Sequence, residues 1–145
     1  MAVSRQQIVE EARKWVNTPF GHQGRDFGRT IDCVGLVYMV GKSLNIIDHD
    51  MTTEKAKPYQ GYTPHPKDNK IRQACEDYLV RIPRRELSAG DIVLVAFNTV
   101  PSHVAIFTGS TLIHALSKIN KCTEHSINES WKRRFCGFYR YPKIA

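Results

Sequence analysis

At 145 residues with a net charge of +7, 41% hydrophobic and 24% charged, the chain has the size and balance of one globular domain (1–145) with a single substantial core, not of a disordered segment. Cysteines at 33, 75, 122 and 136 are too few and too scattered for a disulfide scaffold, and no C-x-x-C pair offers a zinc ribbon. No basic-then-apolar leader opens the chain and no apolar run approaches the roughly 20 residues of a membrane span, so the expectation is synthesis in the cytoplasm without a signal peptide and no membrane partner.

Ser4 and Gln7 form a capping box ahead of Ile8, Ala12, Trp15 and Val16 at helical spacing, which predicts a first helix over Arg5 to Trp15. Pro19 follows its end. Phe20 to Thr30 is then a glycine-rich loop, either a plain connection or a wall of a cleft. It leads to Asp32-Cys33-Val34-Gly35-Leu36-Val37, where Asp32 is an N-cap and Cys33 the first residue of an apolar helix. Residues 43–66 carry Pro58, Gly61, Pro64 and Pro66 and read as irregular, with His49 and His65 as exposed loop residues. Asp68 is placed to cap a helix over Asn69 to Val80 with Ile71, Cys75, Tyr78 and Leu79 inward. After Pro83 the pattern turns to β, with strands over Ile92–Phe97, His103–Phe107 and Thr111–Leu116 in an antiparallel meander, then Cys122–Ser126 and Gly137–Tyr141 around a helical turn near Asn128 to Arg134. The expected class is α+β, with N-terminal helices packed on an antiparallel sheet.

The positive balance favours an anionic partner such as nucleic acid, a wall polymer or an acidic surface. The basic clusters at 81–85 and 132–134 lack interleaved aromatics and any nucleic-acid motif, so they read as solvated faces and no nucleic-acid partner is expected.

A thiol at a helix start meets the positive end of the macrodipole, and such cysteines can be lowered to a pKa of roughly 3.5 to 7.5. Position alone leaves Cys33 open between a nucleophile and one more small buried hydrophobe. The histidines bear on that choice. If Gly109-Ser110 is a two-residue turn, Ala105 pairs with His114, and His103 and His114 become diagonal neighbours on one face. A slip of one residue would separate them. Cys33, His103 and His114 would then match the needs of thiol acyl transfer: Cys33 as nucleophile, His103 forming the ion pair with it and later protonating the leaving amine, His114 orienting His103, and the Cys33 amide donating to the oxyanion. A Cys/His/His zinc site is the chemical alternative, but no fourth ligand or ligand-pair spacing is evident, so neither metal nor cofactor is expected.

The runs Thr18-Pro19-Phe20-Gly21-His22-Gln23-Gly24, Asp32 to Val37, Leu87-Ser88-Ala89-Gly90-Asp91-Ile92, His103-Val104-Ala105-Ile106 and Leu112-Ile113-His114-Ala115 resemble the NlpC/P60 family of cysteine peptidases, in family order over nearly the whole chain, and most of all its phage-tail branch. The resemblance implies a papain-like core and a peptidoglycan hydrolase that cleaves stem-peptide bonds of the bacterial cell wall, typically beside D-γ-glutamyl and diaminopimelate residues. It also implies Cys33, His103 and His114 as catalytic residues, the stem peptide and tail proteins as partners, and location in a virion or tail acting at the wall. The family often has Tyr where Phe20 stands and Ser where Val34 stands, and both substitutions remove a polar group from the substrate side. Phe20, His22, Arg25, Asp32 and Val34 are accordingly the expected substrate-binding residues. Alternatives are a non-catalytic tail-tip or wall-binding protein of the same fold, and an amidase or acyltransferase using the same three residues.

Overall fold

The computed structural model describes residues 2–22, 24–26, 30–47 and 69–144, with the side chains of Arg25 and Asp26 outside the description. His49, His65, Asp68 and the irregular segment from residue 48 lie outside the described residues. Helix α1 (Arg5–Arg13) begins on the expected capping box, with Ser4 Oγ accepting from the Gln7 amide and Gln7 Oε1 from the Ser4 amide. It ends two residues before Trp15. There the chain turns through Asn17 at φ 76°, a left-handed conformation that asparagine tolerates.

Strands β1 (Arg25–Asp26) and β2 (Thr30–Ile31) make a small antiparallel pair that leads into α2 (Cys33–Ser43). Asp32 caps α2, its carboxylate accepting from the Gly35 amide at 2.7 Å, so Cys33 is the first helical residue as expected. Helix α3 (Lys70–Tyr78) turns Ile71, Cys75 and Tyr78 inward, and its N-cap residue, Asn69, makes no side-chain capping hydrogen bond.

The rest is sheet: β3 (Val80–Arg81), β4 (Ile92–Phe97), β5 (Val100–Phe107), β6 (Thr111–Leu116), β7 (Lys121–Ser126) and β8 (Phe135–Arg140), with α4 (Glu129–Arg133) between the last two. The order is β3-β8-β4-β5-β6-β7, with antiparallel pairings throughout. Strand β5 starts three residues earlier than expected, because Asn98 and Thr99 (φ 52° and 68°) make the turn alone and Ser102 is accommodated as a bulge opposite Val95/Ala96.

The sheet buries both faces. Ile92, Leu94, Val104, Ile106, Ile113 and Ala115 pack with Ile8, Ala12, Trp15, Leu36 and Val40 of the N-terminal half. On the other face Val93, Val95, Ala105 and Leu112 pack with Phe97, Phe107, Trp131, Phe135 and Phe138. Alternation along each strand assigns the two sets. Asp91, fully buried at the mouth of β4, ties the layers by accepting from Arg5 of α1 and, through both oxygens at 2.9 Å, from Arg140 of β8.

Candidate active site

The segment after α1 sets the approach to the cysteine. It runs along the outer edge of β7, where the Asn17 amide donates to the Cys122 carbonyl, the Cys122 amide donates to the Thr18 carbonyl and the Phe20 amide donates to the Asn120 carbonyl. It then hooks onto β2: the Ile31 amide donates to Pro19 and the Gly21 amide to Ile31. The glycines are needed here. A Cβ on Gly24 would stand 2.8 Å from the Thr30 carbonyl carbon and 2.9 Å from the Gly21 carbonyl oxygen. The described residues 19–22 and 24 are therefore folded tightly against the strand that ends just before Asp32-Cys33.

Cys33 is buried in the apolar cluster that includes Val104, the residue after His103, and Ile113 and Ala115, which flank His114. Phe20 and Val34 are partly buried against this cluster. Val34 also lines an apolar groove with Val37, Ile71, Cys75, Tyr78 and Val104. His22 is exposed on the turn of the loop, and Asp32, only 2% exposed, is the helix cap. The Arg25 side chain lies outside the description, although its backbone pairs with Ile31.

The expected hairpin register is present, with Ile106 opposite Ile113 and Phe107 opposite Leu112. The β5–β6 ladder stops at these pairs, and just beyond them His103 Nε2 and His114 Nδ1 meet at 2.7 Å. The structure thus brings His103 and His114 together and sets Cys33 in the helix layer that packs on the same two strands. The array extends past these two rings to a third. His114 Nε2 meets His125 Nε2 at 2.7 Å, and His125 Nδ1 meets the Ser126 carbonyl at 2.8 Å. The missed signal is a spacing of eleven residues used twice, across two successive antiparallel pairings, which makes each histidine the diagonal neighbour of the next.

Aromatic rings enclose the array. Phe97 lies 5.4 Å from the His103 ring, and Trp131 of α4 lies 5.1 Å from His114 and 5.0 Å from His125. Burial, reinforced by the neighbouring imidazoles, pushes His103 down to about 3 and His114 to about 2, so both rings rest neutral near pH 7. Burial pushes the Cys75 thiol well up and the Cys122 thiol up to about 12. Among the described residues no group of three His, Cys, Asp or Glu side chains has an arrangement that could hold a metal ion.

A helix opening on a cysteine, packed on an antiparallel sheet that pairs two buried histidines, makes an α+β architecture. Residues 17–140 match the NlpC/P60 family model, and the chain belongs to the NlpC/P60 family. A comparison with curated proteins finds no match. Solved structures similar to it include an NlpC/P60 family protein from Bacillus cereus (TM-score 0.68, 16% identity, 98% of this chain and 41% of that one). The NlpC/P60 domain of the peptidoglycan hydrolase SagA is also similar (0.62, 21%, 94% and 98%), as is the peptidoglycan hydrolase RipB from Mycobacterium tuberculosis (0.58, 15%, 97% and 65%). The chain spans about two fifths of the Bacillus cereus protein and nearly all of the SagA domain.

Proposed function

We propose that this domain is a cysteine endopeptidase that cleaves stem-peptide bonds of bacterial peptidoglycan, with Cys33 as nucleophile, His103 as base and His114 as the residue that orients it. The observation that carries the reading is the buried 2.7 Å contact between His103 Nε2 and His114 Nδ1, which occupies one nitrogen of His103 and leaves Nδ1 as its reactive one. Cys33 lies in the helix layer, in one cluster with Val104, Ile113 and Ala115, the residues next to the two histidines along β5 and β6.

In this mechanism thiol and imidazole rest as a neutral pair, since burial disfavours a charged His103. The ion pair forms as His103 takes the Cys33 proton and sulfur adds to the scissile carbonyl. The helix-start potential of α2 favours both the thiolate and the oxyanion that follows. His103 then protonates the leaving amine, and a water it deprotonates releases the acyl group from sulfur. Phe20, Val34 and the apolar groove beside Val34 would contact the apolar parts of the stem peptide, with His22, Arg25 and Asp32 supplying polarity at the loop and helix start. Action within a phage tail, in company with tail proteins, rests on the sequence resemblance alone.

A second reading, wall binding without turnover, is favoured by the same apolar groove and by the loss of polar groups at Phe20 and Val34. Mass spectrometry of muropeptides after digestion separates the two. Wild-type protein should release cleaved stems and Cys33→Ala none, with circular dichroism unchanged; equal product from both would end the catalytic reading.

A further inference from the structure

The third imidazole, His125, is used by none of the steps above. Its Nδ1 faces the Ser126 carbonyl at 2.8 Å, and a carbonyl only accepts, so Nδ1 must carry a proton. A neutral His125 then has a bare Nε2, and the 2.7 Å contact requires His114 Nε2 to be the donor. A neutral His114 in turn has a bare Nδ1, and the next 2.7 Å contact requires His103 Nε2 to donate. What is left on His103 is an unprotonated Nδ1. One backbone oxygen thereby sets the tautomer of three rings in series.

We propose that His125 is a positioning residue: bonded to the Ser126 carbonyl, it fixes the tautomers of His114 and His103 so that His103 presents a bare Nδ1 to the Cys33 thiol. The inference rests on the reading of His103 as base, which it deepens. Without an acceptor at residue 125, His114 is free to place its proton on Nδ1, and His103 would then hold its own proton on the nitrogen needed as base. The local structure favours this role. His125 shares β7 with Glu124, yet Glu124 turns to Arg13 and Thr111 while His125 turns to His114 and Trp131, so strand alternation commits the ring to the array.

Nitrogen-15 spectra of the imidazoles in the intact domain test this directly, because they distinguish a bare ring nitrogen from a protonated one without turnover. The wild type should show Nδ1–H on His125 and Nε2–H on both His114 and His103; a protonated Nδ1 on His103 in the resting protein would overturn the proposal. His125→Phe, which removes the acceptor, should mix the His103 tautomers and lower kcat roughly tenfold, the size of one lost buried hydrogen bond, with KM unchanged. His125→Gln, whose amide oxygen can accept from His114, should restore most of both. Unchanged His103 tautomers in a folded His125→Phe would also overturn it. If neither variant folds, the wild-type spectrum still decides. Failure of the nucleophile reading has a separate signature, hydrolysis surviving in Cys33→Ala, so the two failures are distinguishable.

Discussion

Asp91 has no exposed surface, yet it carries a carboxylate that meets two guanidinium groups, each only partly exposed. Removing one partner of such a group leaves charge without its counterion, and this dominates over any gain from easier desolvation. Asp91→Ala strands Arg140 and Arg5 and takes an acceptor from the Ser88 amide. Both cations retain some water, so the expected loss is about 2–3 kcal/mol, below the upper range for buried pairs, and urea unfolding measures it. Sequence alone does not assign Asp91 these partners, because two arginines 86 and 49 residues away cannot be placed beside it before the fold is known. Asp32 is the contrasting case. Its partner is three residues away, so the cap was legible from residue type and position.

Helix α2 packs tightly enough for one methyl group to matter. Tyr141 is buried against it and donates its hydroxyl to the Val37 carbonyl at 2.7 Å, and a Cβ at Gly41 would stand 2.9 Å from the Tyr141 ring and 3.0 Å from Ile47. Two effects oppose one another in Gly41→Ala. Helix propensity would favour alanine by about 1 kcal/mol, while overpacking a core costs about 1–3 kcal/mol. Tyr141 is pinned at both ring and hydroxyl, so the clash should win and thermal unfolding should show a lower Tm than wild type. In the loop before α2, Gly24→Ala meets backbone on two sides and should displace β2, the strand that delivers Cys33. A drop in kcat/KM against peptidoglycan larger than the change in Tm would locate that displacement at the site. The same measured ratio in both would mean that the loop only supports the fold.

Across the whole molecule, the enclosed histidines make stability depend on pH. Both His103 and His114 have folded values pushed below the ordinary histidine value of 6.5, to about 3 and about 2. The unfolded chain therefore binds more protons between those values and 6.5, and stability is full above that window and lost as pH falls through it. Each ring contributes a slope of up to about 1.4 kcal/mol per pH unit. Urea midpoints measured at pH 7, 5.5 and 4.5 should fall steeply, and a flat profile would mean that the rings are not held neutral. The same burial leaves the base competent over this range, so hydrolysis at pH 5.5 should track the folded fraction.

Much of the architecture was determined by sequence alone, for reasons that are local. Capping at Ser4 and Asp32, apolar periodicity in the helices and the two-residue spacer Gly109-Ser110 each act over a few residues, and they specified α1, the start of α2 and the register that brings His103 to His114. Only the tertiary structure decided three other things. Strand β8 lies beside β4 through pairing across some forty residues, which no local pattern encodes. The bulge at Ser102 extends β5 through Pro101, a residue that by itself argues against a strand. The array runs on to His125 under Trp131 because β7 pairs with β6 in one register, with Leu112 opposite His125. Residue type alone fixes neither the partner of a histidine nor its tautomer in the fold; the neighbours brought together by the sheet supply both.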